Sequence, residues 1–126
     1  MKKVINTENA PAPIGPYNQA ILSNGTLYIS GQIPLNPKSG ELVSGDIKLE
    51  TKQSMENLKA ILTEAEMTFE NVVKSSIFLS DMNQFTEVNE IYASYFNAET
   101  APARETVEVA NLPKFVNVEI SMIAVK

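Results

Sequence analysis

The stretch Arg104-Glu105-Thr106-Val107-Glu108-Val109-Ala110, the turn Asn111-Leu112-Pro113-Lys114, and the run Phe115 to Val125 carry the fold reading of this chain. Both flanks alternate at period two, as strands do. Val107 and Val109 share a face opposite Arg104, Thr106 and Glu108; Val116, Val118, Ile120 and Met122 share a face opposite Asn117, Glu119 and Ser121. Read as a hairpin, with the valines meeting on one face, the pair has a specified parity, because a one-residue slip would bury half the polar set. That parity gathers Arg104, Thr106, Glu119 and Ser121 on one polar face. Thr106 then lies opposite Glu119, and Arg104 lies diagonal to Glu119 at ~7–8 Å. An Arg and a Glu sharing a sheet face read in two ways. One is a cross-strand salt bridge on a solvated face, worth ~0.2–1 kcal/mol. The other is a carboxylate receptor, in which the planar guanidinium grips an organic acid and the Glu holds water or moves a proton. Spacing alone does not choose between them.

Outward from this stretch the chain reads β-β-β-α-β-α-β-β. Asn24-Gly25, between short β-type runs at Gln19 to Ser23 and Leu27 to Gly31, is a tight-hairpin signal. A weak strand near Val4 precedes it, and Pro34, Pro37, Gly40 and Gly45 mark a loop after it. A helix is predicted from about Asp46 to Glu66, with Met55, Leu58, Ile61, Leu62 and Ala65 on one face. Val72 to Ser80 reads as a strand with Val73, Ile77 and Leu79 on one face and Val72 and Phe78 on the other. Asp81 to Gln84 resembles a capping box opening a second helix to about Phe96, with an apolar stripe of Phe85, Val88, Tyr92 and Tyr95. The expected architecture is one α+β domain spanning 1–126, a mixed sheet with both helices on one face. The last strand is apolar on both sides near Met122 to Val125. Two helices cover one side only, so a second copy of the chain is expected to cover the other.

Composition removes whole classes of chemistry. The 126 residues include no Cys and no His. Disulfides, thiolate metal sites, a Cys nucleophile and a Ser-His-Asp triad are therefore excluded, and no metal is expected. The net charge of −5 disfavours a nucleic-acid partner, whose phosphates call for clustered Lys and Arg. Met1 to Asn6 lacks the apolar core of a secretory signal, and no apolar run approaches the ~20 residues of a membrane span. A cytoplasmic protein is expected.

Several motifs, in order along essentially the whole chain, resemble the Rid/YjgF family. They are Ile14-Gly15-Pro16-Tyr17, Ser30-Gly31-Gln32-Ile33-Pro34, Pro102-Ala103-Arg104, and Val107 to Lys114 leading into Val118-Glu119-Ile120. The nearest subgroup is that of the RidA-type 2-iminobutanoate/2-iminopropanoate deaminases. The resemblance implies a chorismate-mutase-like fold, a homotrimer with clefts between subunits, and a reaction without cofactor: hydrolysis of reactive 2-enamino and 2-imino acids to 2-keto acids and ammonia. By the same resemblance Arg104 binds the substrate carboxylate and Glu119 orients water at the imine carbon. Tyr17, Ser30, Gly31 and Asn89 occupy pocket positions, and Thr106 offers its backbone amide. Judged from the residues alone, Tyr17 reads equally as packing, Ser30 and Gly31 as a strand end, and Asn89 as a surface residue.

Three positions depart from the family pattern. Glu105-Thr106 stands where Ser-Cys is common, and Ser121 where a second Glu is common. Strand alternation turns the Glu105 carboxylate to the valine face, away from Arg104, unless the strand twists there. Two further readings use the same cleft: a non-catalytic binding or regulatory module for keto acids, and a translation-inhibiting ribonuclease, which the acidic charge and missing His disfavour.

Overall fold

The computed structural model describes residues 1–126. Its elements follow the expected order: β1 (Lys2–Ile5), β2 (Ala20–Ser23), β3 (Thr26–Gln32), α1 (Ile47–Glu64), β4 (Val72–Leu79), α2 (Phe85–Ala93), β5 (Ala103–Glu108) and β6 (Val118–Val125). At the β2–β3 turn Asn24 and Gly25 both take positive φ (50° and 78°), matching the right-handed twist of the flanking strands. Asp46 caps α1 by accepting from the Lys48 and Leu49 amides. The stripe Met55, Leu58, Ile61 and Leu62 is fully buried, with Ala65 just beyond the helix end. Asp81 caps a single 3-10 turn, Met82–Gln84, ahead of α2. The reciprocal capping box lies elsewhere, between Thr68 and Asn71 at the entry to β4. Both helices lie against one face of a six-stranded mixed sheet, so the class is α+β, as the strand and helix periods imply.

The strand order is β1-β2-β3-β6-β4-β5. This corrects the hairpin expected at the end of the chain. β4 lies between β5 and β6, pairing parallel with β5 and antiparallel with β6. The turn is wrapped around the end of β4: the Val109 amide donates to Leu79 O at 2.9 Å, and the Ser80 amide donates to Asn117 O at 3.1 Å. The wrap includes two consecutive left-handed residues, Lys114 (φ 56°) and Phe115 (φ 54°), a conformation non-glycine residues adopt only when the surroundings impose it. β6 accordingly starts at Val118 rather than Phe115.

Face assignments change with the topology. Arg104, Ser75 and Met122 are in register, as are Thr106, Ile77 and Ile120, and both rows face the helices. Glu119, Phe78 and Val107 form a row on the opposite side. Arg104 and Thr106 therefore lie on one side of the sheet and Glu119 and Ser121 on the other, not together. A second parity error sits in β4, where a bulge between Val72 and Lys74 shifts the alternation. Val72 enters the core and Val73 is left exposed, while Ser75, Ile77 and Leu79 point inward. The open face carries an apolar row, Val4, Ile21, Tyr28 and Ile123, with Phe78 and Val107 nearby and no element of this chain above it.

Candidate functional site

Arg104 lies on the edge strand β5, and its side chain is exposed to solvent. Its guanidinium reaches back to α2: Nη1 donates to Asn89 Oδ1 at 2.7 Å, and Cζ lies 5.5 Å from the Phe85 ring centroid and 5.0 Å from that of Tyr92. No carboxylate pairs with it. Glu105 points to the other face, as alternation requires, where it pairs with Lys74 Nζ at 2.9 Å and accepts a short hydrogen bond from Ser76. The Ser76 bond, and then Lys74, hold the Glu105 carboxyl below its usual range. The Val109 amide turns inward to β4, so two-residue alternation turns the Thr106 amide to the free edge, beside Arg104. The Thr106 hydroxyl, the Ser75 hydroxyl and the Tyr92 hydroxyl are buried without a hydrogen-bond partner.

Glu119 lines a cavity of about 550 Å³ on the opposite side of the sheet. Tyr17, Ser30 and Gly31 line the same cavity, with Ile14, Ile33, Pro113 and Lys114 completing it. A β-bulge at Ser30-Gly31, where β3 gains a residue against β6, brings this backbone over Glu119. A Cβ on Gly31 would lie 2.7 Å from Glu119 Oε2 and 2.8 Å from its Cδ, so only glycine fits against this rotamer. Burial pushes the Glu119 carboxyl above its usual range, and no cation lowers it. The Ser30 hydroxyl donates to Asn18 O at 2.7 Å, keeping its lone pairs for a ligand. The Tyr17 hydroxyl accepts from the Ile14 amide at 3.4 Å, leaving its proton free, and its ring is half exposed. Just before β6, Asn117 donates Nδ2 to Glu50, buried in α1, at 3.1 Å, and its Oδ1 accepts from Ser80 Oγ at 2.9 Å. Burial raises the Glu50 carboxyl too. No three carboxylates converge as a bound cation would need.

The residues singled out by sequence thus form two groups. Arg104, Thr106 and Asn89 meet at the free edge of β5, and Tyr17, Ser30, Gly31 and Glu119 meet in the cavity. One chain does not bring the groups together. Residues 7–126 match the family described as Endoribonuclease L-PSP. The chain belongs to the Rid/YjgF family. Among Rid/YjgF relatives, a RutC family protein of Pyrococcus horikoshii is 56% identical over 126 residues, covering 100% of this chain and 99% of its own. The mouse protein named 2-iminobutanoate/2-iminopropanoate deaminase is 51% identical over 126 residues, covering 100% of this chain and 93% of its own. The crystal structure of YyfA from Yersinia pestis, a conserved Rid family protein of unknown function, superposes with a TM-score of 0.97 at 51% identity, covering 100% of each chain. Two Rid/YjgF side chains that sequence reading treated as core, Phe85 and Tyr92, turn out to flank the Arg104 guanidinium. Spacing puts Phe85, Asn89 and Tyr92 on one stripe of a helix, but it does not separate a cradle for a cation from an ordinary core stripe.

Proposed function

We propose that this protein hydrolyses 2-imino acids such as 2-iminobutanoate and 2-iminopropanoate to 2-keto acids and ammonia, at sites shared between two copies of the chain. The observation that carries the reading is a guanidinium with no carboxylate partner, set beside an edge amide, in a chain whose half-buried Glu119 waits in a separate cavity. A planar cation with free donors suits bidentate capture of a carboxylate. A carboxyl raised by burial suits proton transfer near neutral pH. The split between the two groups, the uncovered apolar face and the deaminase name of the mouse relative support one further step. The β5 edge of one copy closes over the Glu119 cavity of another, in a homotrimer as expected from the family resemblance.

The chemistry balances without a cofactor. Arg104 and the Thr106 amide hold the carboxylate. Glu119 takes a proton from water as the water oxygen bonds to the carbon of the N-protonated imine, and the C=N π electrons move to nitrogen. Glu119 returns that proton to the nitrogen, then takes the hydroxyl proton as the C–O bond becomes C=O and the C–N bond breaks, so that ammonia leaves and carries the proton away as ammonium. An enamine such as 2-aminoacrylate enters after gaining a proton at C3. Tyr17 and Ser30 offer hydrogen bonds around the reacting carbon.

The test is a coupled assay in which a pyridoxal-phosphate dehydratase acts on Thr or Ser, with and without this protein. Faster appearance of keto acid, lost in Arg104→Ala because the substrate is no longer positioned, supports the reading. Acceleration that survives Arg104→Ala would refute it. Binding of 2-ketobutanoate without any acceleration would favour a non-catalytic receptor.

A further inference from the structure

The Arg104 side chain crosses to α2, while the two acidic residues of β5 are engaged elsewhere, Glu105 with Lys74 and Ser76 on the opposite face and Glu108 with the Met82 amide. Phe85, Asn89 and Tyr92 lie one turn apart in succession on the face of α2 that meets it. The amide between the two rings takes one N–H at 2.7 Å, and each ring lies within cation–π range at 5.5 and 5.0 Å. A guanidinium held by two ring faces and one hydrogen bond has its plane and its free donors fixed before a ligand arrives. Tyr92 is the buried member of the set, only 4% exposed, so its ring is locked by packing against α1 and the sheet and cannot swing with the arginine. Its hydroxyl closes no hydrogen bond; Ser75 lies near enough to bear on its ionisation but not at bonding geometry. The ring, and not the hydroxyl, is therefore the part of Tyr92 with work at this place.

We infer that Tyr92, with Phe85, is a positioning residue whose ring face fixes the Arg104 guanidinium for carboxylate capture. This rests on the proposed function only for the identity of the ligand. Pre-ordering the cation removes the rotamer freedom that binding would otherwise freeze, so its loss should appear mainly as weaker binding.

Two measurements on the full protein separate the inference from the deaminase reading. In ligand-free protein, NMR of the Arg104 side chain should show ring-current shifts at Hε and Hδ that shrink in Tyr92→Leu. Calorimetry with 2-ketobutanoate should give a dissociation constant about tenfold weaker in Tyr92→Leu and restored in Tyr92→Phe, which keeps the ring. In the imine assay the same substitution should raise KM more than it lowers kcat. If Tyr92→Leu fails to fold, Phe85→Leu, at a half-buried position, carries the same measurements. Wild-type affinity in a folded leucine variant, or Arg104 resonances without ring-current shifts in the wild type, would overturn the inference. Ring-dependent keto acid binding in a protein that releases no ammonia would sustain it and sink the deaminase reading. Absence of binding by the wild-type protein would overturn both.

Discussion

Adding one methyl group at Gly31 should separate the activity of this protein from its stability. The Cβ of Gly31→Ala would lie 2.7 Å from Glu119 Oε2, whereas ordinary contact begins at 3.4 Å, so the carboxylate must retreat by about 0.7 Å or more. The Gly31 backbone lies outside the left-handed region, so alanine meets no strain there, and the obstacle is the far end of a flexible side chain beside an open cavity. The fold should lose less than about 1 kcal/mol, a melting shift of roughly 5 °C at most. If Glu119 moves the proton as proposed, displacing it by about 0.7 Å is a different matter, since misplacement approaching 1 Å can cost ~10²-fold, or about 2.7 kcal/mol of transition-state stabilisation. The assay is the dehydratase-coupled release of keto acid from Thr, run beside thermal unfolding on the same preparation. In a Glu119→Gln background Gly31→Ala should add little, because the group it displaces is already disabled. A Gly31→Ala protein that turns over within threefold of wild type would refute the idea that Glu119 must occupy its observed position.

Other expectations follow from the same geometry. Burial raises the Glu119 carboxyl, so the folded state binds the proton more tightly than the unfolded chain, and stability falls as pH rises from the ordinary carboxylate range through the raised value. Glu119→Gln should therefore be more stable than wild type at pH 7, with the difference vanishing near pH 4, while turnover is lost; unfolding curves at the two pH values check the sign. In the wild type, turnover should fall on acidification at a pH above the usual Glu range, read from a kcat/KM profile. Asn117→Ala leaves the buried Glu50 carboxylate without its side-chain donor and should cost about 2 kcal/mol, lowering the melting temperature by roughly 5–10 °C. Ile123→Lys, in the middle of the open sheet face, should leave the monomer folded but shift its mass in sedimentation to that of a single chain; an unchanged mass would count against that face as the contact between copies.

Much of this structure could be read from the residues. The period-two runs, the Asn24-Gly25 turn and the α1 stripe sat where local geometry demands, because each is decided by neighbours a few positions apart. Strand order was not so decided. The alternation in β5 and β6 is compatible with direct pairing and with β4 inserted between them, and nothing local distinguishes a hairpin turn from a wrap around a third strand. The left-handed pair Lys114-Phe115, which makes the wrap, has no glycine to advertise it. The equation of polar with solvent-facing also failed at β5, since an edge strand can send Arg104 toward the helix side and still leave it exposed, while the Thr106 hydroxyl on the same side is buried. Val73 misled for a similar reason: a bulge changes parity without leaving a mark in the pattern. The Arg104 cradle stayed hidden because Phe85 and Tyr92 have the same spacing that a helix uses to fill a core.

The placement of Arg104 and Glu119 on opposite sides of one sheet has a genetic reading. If each working centre borrows its cation from one polypeptide and its acid from another, Arg104→Ala and Glu119→Gln are lesions in different halves of that centre. Two preparations, each inert alone, should then regain part of the wild-type rate when unfolded together and refolded as a mixture, since some of the reassembled boundaries join an intact edge to an intact cavity. On the same condition dilution should work in the opposite sense, abolishing the proposed turnover at concentrations where each chain is still folded but separate.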